Sequence, residues 1–143
     1  MNNKDILKQY DEIKRKKLTK EERIEIYNRF DGRCGYCGEK IDIKDMQVDH
    51  IVALRVGGTD TLDNMICSCR SCNHYKSTYT LEIFEKQLQE IPNKLLRDSA
   101  IFKIALRYGL IEIKDKKVEF YFKEYKEEWL IDISKIQRIS RTG

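Results

Sequence analysis

At 143 residues the chain is long enough for one domain with a real core and too short for two of ordinary size. Hydrophobic residues make up 41% and charged residues 36%, a balance that fits a heavily solvated globular protein. No apolar run approaches the roughly 20 residues that cross a bilayer, so neither a membrane-spanning helix nor a membrane partner is expected. The opening MNNKDILKQY lacks the apolar core of a signal peptide, and a formal charge of +4 is compatible with a polyanionic partner without requiring one.

In chain order, residues 4–16 carry Ile6, Leu7, Tyr10 and Ile13 at helical spacing and run into the basic stretch KRKK, which reads first as a solvated helix end. Thr19 and Glu22 match a capping box ahead of RIEIYNRF, and Gly32 offers a stop after Phe30. CGYC follows at once. IDIKDMQVDHIV predicts two short antiparallel strands around a turn near Lys44 and Asp45, with Asp49 and His50 on the second. RVGGTDTLDN is a loop whose two glycines permit backbone conformations closed to other residues. In MICSC, alternation predicts Cys67 on the inner side of a strand. SCNHYKS then opens a helix, and Thr80 caps another that carries Leu81, Phe84 and Leu88.

Beyond Pro92, NKLLRDSAIFKIALRYG reads as one amphipathic helix with Leu95, Leu96, Ile101, Ile104 and Ala105 on its apolar side, closed by Gly109. LIEI and VEFYFKEY predict a hairpin around KDKK, followed by EEWLIDISKI and a basic end with Arg138 and Arg141.

Five cysteines fall in two groups, CGYC and CSCRSC. In a reducing compartment, paired C-x-x-C units read as metal ligands before they read as disulfides. Cys34 with Cys37, and Cys69 with Cys72, can each turn two thiolates toward one tetrahedral zinc ion, closing the loop between the pairs. A four-cysteine site leaves no open coordination position, so this zinc is expected to hold the fold. The rival readings are a redox C-x-x-C, which has no need of the second pair, and buried inert thiols.

Taken together, RCGYCG, VDHIVALRVGGTDTLDNMICSC and CNHYKS resemble the HNH endonuclease family in its zinc-stapled form, in order and in spacing, over roughly residues 19 to 88. The resemblance implies a small ββα-metal, treble-clef-like core stapled by the four cysteines; together with the N-terminal helical segment and the C-terminal helix plus β-hairpin extension read from the residues, the expected fold is α+β. Length predicts a single domain over 1–143; the resemblance places the nuclease core at 19–91 and runs out at 92–143, an extension expected to buttress the core, contact DNA or mediate a homodimer. With neither an apolar span nor a signal-peptide core in the sequence, a cytoplasmic protein is expected, in a bacterial or phage-encoded context.

The activity implied is metal-dependent hydrolysis of DNA phosphodiesters, with a zinc-stapled DNA-binding module that no longer cuts as the alternative. His50 is the expected general base, since imidazole titrates near neutral pH. The resemblance assigns Asp49 and Asn73 to a catalytic Mg2+ or Mn2+ ion as hard oxygen ligands, with Asn73 standing where other members carry histidine. Strand alternation, however, sends Asp49 and His50 to opposite faces unless the strand twists or bulges. Asn64 matches the middle letter of the family signature and is expected to hold the loop around the histidine, although a plain Asx turn reads equally well. Lys76, one helical turn beyond Asn73, is expected to contact phosphate, with His74 and Arg33 as further DNA-facing residues.

Overall fold

The computed structural model describes residues 17–124. The helix expected over 4–16, most of KRKK and everything from residue 125, including EEWLIDISKI, Arg138 and Arg141, lie outside the described residues.

Helix α1 (Lys20–Arg29) begins at the expected cap. The Glu22 N–H donates to Thr19 Oγ1 at 3.1 Å and the Thr19 N–H donates to Glu22 Oε1 at 3.2 Å, so two of the unpaired donors of the first turn are satisfied reciprocally. The helix ends at Phe30, and the chain reverses through Asp31 and Gly32, both at positive φ. Ile26 and Phe30 point into the core.

Strands β1 (Gln47–His50) and β2 (Met65–Ser68) form a two-stranded antiparallel sheet in which Val48 opposes Cys67, Asp49 opposes Ile66 and His50 opposes Met65. This corrects the expected pairing of 41–43 with the Asp49 strand. Ile43–Asp45 is a single turn of 3-10 helix, and β1 pairs instead across the long loop. A local two-stranded hairpin has little to bury, whereas every residue of β2 is buried and gives β1 a partner inside the core.

Cross-strand partners share a face, so Val48, His50, Met65 and Cys67 line one side of the sheet and Gln47, Asp49, Ile66 and Ser68 the other. Helix α1 packs on β2, and α2 (Arg70–Lys76) packs on β1, where Lys76 meets Asp49. The fold is therefore α+β, with helices around a small sheet and the cysteines gathered at one end.

Helix α3 (Leu81–Gln89) is capped by Thr80, whose Oγ1 accepts from the Ile83 N–H, and it buries Leu81 and Phe84. The single helix expected after Pro92 is two. Helix α4 (Ile91–Asp98) stops at Ser99, which is extended (φ −111°, ψ 106°) and caps α5 (Ala100–Arg107) by accepting from the Phe102 N–H. A serine that bonds the next helix's orphan donor outcompetes continuation of the helix, a preference that apolar periodicity does not reveal.

The expected hairpin is also replaced. Among the described residues, 110–120 have no regular structure and Tyr121–Glu124 make a 3-10 turn. The alternation of Val118, Phe120 and Phe122 is nonetheless used: the Tyr121 and Phe122 N–H groups donate to the carbonyls of Tyr36 and Gly35 at 3.0 and 2.8 Å. The segment thus lies against the first cysteine turn, with Phe120 and Phe122 buried around Tyr36 and Phe84.

Candidate functional site

The four cysteines converge from two elements. Cys34 and Cys37 sit in the turn after α1, closed by the Gly38 N–H donating to the Cys34 carbonyl and tied to the end of β2 by the Gly35 N–H donating to the Cys67 carbonyl at 2.7 Å. Cys69 caps α2, its sulfur accepting from the Cys72 N–H at 3.3 Å, and Cys72 lies in the first turn of that helix. Tetrahedral zinc bound at about 2.3 Å sets its sulfurs about 3.8 Å apart. Here Cys37 Sγ and Cys69 Sγ are 3.9 Å apart, and all four sulfurs lie within 4.8 Å of one another, so the residues fit a zinc ion.

The electrostatics agree. A hydrogen bond from Cys72 holds the Cys34 thiol down to about 4, while burial and the neighbouring thiolates push Cys37 up to about 11. Cys72, hydrogen-bonded to Cys34 and buried, is held well above the usual thiol range. Sulfurs this close cannot all ionise beside one another, and a divalent cation among them removes that penalty. Cys67 stands apart from the group, fully buried in β2 and pushed up to about 12 by burial.

At the other end of the sheet, β1 finishes on Asp49 and His50, with side chains on opposite faces as alternation dictates. On the α2 side, Asp49 Oδ2 accepts from the Tyr36 hydroxyl at 2.6 Å and pairs with Lys76 Nζ at 3.0 Å. Burial, and then the Asp49 charge, raise the Tyr36 phenol well above its usual value, so it remains a donor. Lys76 is 0% exposed, and its ammonium also donates to the His50 carbonyl at 3.0 Å. The phosphate contact expected of Lys76 is therefore corrected: its charge is enclosed in the protein, neutralising Asp49.

On the α1 side, His50 Nε2 lies 2.8 Å from Asp60 Oδ1. An ionised carboxylate can only accept, so Nε2 carries the proton and the lone pair of the neutral ring is on Nδ1. Asp60 was missed by sequence reasoning, although the signal was present as an acidic residue two positions after the glycine pair that shapes the loop. That loop brings Asp60 back to the strand end. Gly57 is left-handed at φ +93°, and a side chain on Gly58 would start 1.8 Å from the Val52 carbonyl oxygen, so the approach admits only glycine.

Asn64 fastens the same loop. Its Oδ1 accepts from the Val52 N–H at 2.9 Å, and its Nδ2 donates to the carbonyls of Val52 and Thr59 at 2.9 and 2.7 Å. With all of these made inside the protein, the fully buried amide clamps the chain leaving His50 to the chain entering Asp60.

Asn73 is half-buried on α2, and its amide makes no hydrogen bond within the described residues. Asp49 Oδ1 is likewise unengaged there, which leaves one carboxylate oxygen and one amide oxygen as hard donors suited to Mg2+ or Mn2+. Any cation at Asp49 would lie close to the Lys76 ammonium. His74 is exposed on α2, and Arg33 Nη1 donates to the Gly38 carbonyl at 2.9 Å, bracing the first cysteine turn.

Residues 34–78 match the family described as HNH endonuclease. The CRISPR-associated endonuclease Cas9 of Corynebacterium diphtheriae is 32% identical over 65 residues, which is 45% of this chain and 6% of that protein. The crystal structure of the Type II-C Cas9 enzyme from Actinomyces naeslundii is similar at 25% identity with a TM-score of 0.44, over 60% of this chain and 9% of that one. The chain thus spans a small fraction of either relative's length. The matched segment holds both cysteine turns, both strands, the glycine loop and α2, so it is this part of the chain, residues 34–78, that is similar to the HNH endonuclease family.

Proposed function

We propose that this chain is a metal-dependent DNA endonuclease in which His50 is the general base, working through Nδ1. The observation that carries this reading is the 2.8 Å contact between His50 Nε2 and Asp60, which holds the ring in one tautomer at the wall of an open cleft. A histidine serving only the core would need no such carboxylate, and a DNA-binding module would need no oriented base. The curated relative's own name, an endonuclease, points the same way.

In this reading, a water beside Nδ1 loses its proton to the ring as its oxygen attacks phosphorus, the P–O bond to the leaving sugar oxygen breaks, and that oxygen takes a proton from solvent. Asp60 then stabilises the imidazolium, and Asn64 keeps the loop from drifting away from the strand. Asp49 and Asn73, on the opposite face of β1 from the His50 ring, would hold Mg2+ or Mn2+ through their oxygens, and a phosphate lying across the end of the strand would meet both that source of charge stabilisation and the water at Nδ1. Tyr36 and Lys76 orient the Asp49 carboxylate from below. Zinc at Cys34, Cys37, Cys69 and Cys72 would fasten the first turn to α2 and so set the position of both strands. Residues 19–91 form the nuclease unit within one domain, and DNA is the partner.

Supercoiled plasmid incubated with Mg2+ or Mn2+ tests this directly. The parent should nick or linearise it, and His50→Ala should lose about 10²- to 10⁴-fold in rate while keeping its zinc and its fold. A His50→Ala protein that cuts at the parent rate removes His50 from the mechanism, and a parent that binds DNA without cutting leaves the binding-module reading.

A further inference from the structure

The cleft in front of His50 has a charge pattern that the catalytic reading does not use. It is a depression of about 550 Å³ between the start of α1 and the 3-10 turn ahead of β1, and Lys17, Arg23 and Lys44 line it together with His50, Asp60 and Met65. Three cationic side chains thus face a single carboxylate, and that carboxylate is engaged by the His50 ring. Arg23 is half-buried and tethered, donating through Nη2 to the Met46 carbonyl at 3.3 Å, so its guanidinium is held at the wall. Lys17 and Lys44 are exposed and also line the cleft.

We propose that this cleft is a binding subsite for the phosphate backbone of duplex DNA, built by Lys17, Arg23 and Lys44 and leading the strand to the Nδ1 edge of His50. This rests on the nuclease reading and adds to it where the polyanion lies. Cations placed by separate segments around one depression suit a ligand with charges spaced along a strand, because each can neutralise a different phosphate. Positive potential focused in a concave site also raises the local concentration of a polyanion. Lys17 and Arg23 lie before the matched segment 34–78, so the subsite draws on α1 and on the residues just ahead of it. Lys17 is also the last residue of KRKK, a run that the sequence alone reads as a helix end.

The test uses the whole chain, a DNA duplex of about 20 base pairs and fluorescence anisotropy over about 50 to 200 mM salt, without added divalent cation so that nothing is cut. Each phosphate contact contributes about 0.9 to the slope of log affinity against log salt. Lys17→Ala with Lys44→Ala should therefore flatten the slope by about 2 and weaken low-salt binding roughly tenfold. With Mg2+ or Mn2+ restored, the same variant should show a raised KM with kcat kept. Lys86→Ala, which removes a surface cation on α3, should retain the parent slope. Both cleft lysines are exposed, so the double variant should fold, and its melting temperature checks this. A double variant with the parent's slope and KM overturns the subsite while leaving the nuclease reading standing. A parent that neither binds nor cuts the duplex overturns that reading, and the subsite with it.

Discussion

The two faces of β1 put neighbouring residues to opposite uses. On the α2 side, Asp49 is 9% exposed, and one of its oxygens is engaged by Tyr36 and Lys76, so its charge is balanced inside the protein. On the α1 side, His50 is equally buried, at 6%, yet its ring opens on a cationic cleft with one nitrogen held and the other unengaged within the described residues. Burial alone therefore does not separate a group whose charge is balanced inside the protein from a ring that opens on a cleft. The difference lies in what the partners leave available: a buried ion pair that is broken costs stability, while an imidazole held at one nitrogen is oriented for proton transfer at the other.

The largest effect should come from the anchor beneath the Asp49 face, since Tyr36 sits between Cys34 and Cys37. Cys34→Ser or Cys72→Ser should lose the zinc and, with it, cooperative folding, because binding of a structural zinc is worth an apparent 10 to 16 kcal/mol or so at neutral pH. Acid should mimic them. Cys37 and Cys72 have raised pKa values without metal, so zinc uptake must release their protons, and affinity falls as pH falls. Metal content after dialysis, with circular dichroism on the same samples, checks both, and a folded protein without metal would break the link between the cluster and this face.

Next is Lys76→Met, which keeps the volume but leaves Asp49 buried without its cation. A loss of about 3 to 5 kcal/mol is expected, read as a fall in Tm, with partial recovery of Tm on adding Mg2+ or Mn2+. A variant with unchanged Tm and weakened DNA binding would instead return Lys76 to the phosphate role and collapse the contrast between the faces.

The smallest effect on stability, and the most specific one, belongs to Asp60→Asn. An amide donates as readily as it accepts, so the ring is no longer confined to one tautomer, and kcat should fall about 10- to 100-fold with little change in KM or Tm. With only two histidines in the chain, nitrogen-15 spectra of the imidazoles can follow the tautomer directly. A His50 tautomer population that is the same in parent and variant would mean that Asp60 is not what orients the ring.

Much of the frame was legible in local chemistry. Thr19 and Glu22 announced the start of α1, Thr80 the start of α3, and the two C-x-x-C turns announced a cluster whose sulfurs do converge. These features depend on side chains and backbone groups within three or four residues of each other, so spacing is enough to read them. Pairing of β1 was not legible from the residues. IDIK and MICS are both acceptable partners by alternation, and the choice fell to the segment that could be buried on both faces. The break at Ser99 was misread for a related reason, because apolar periodicity runs straight through it.

What the sequence by itself determined is thus the set of groups and their local geometry: four thiols in two turns, a histidine after an aspartate on a strand, a glycine loop, and the caps that start the helices. Only the tertiary structure decided which of those groups meet. It carried Asp60 back over Gly58 to His50 Nε2, turned Lys76 inward onto Asp49, and set Lys17, Arg23 and Lys44 around one cleft. The physical reason is that each of these contacts joins residues ten or more positions apart, or chooses between two faces of an element. Such choices are settled by what the whole core can bury and neutralise together, which no local pattern records.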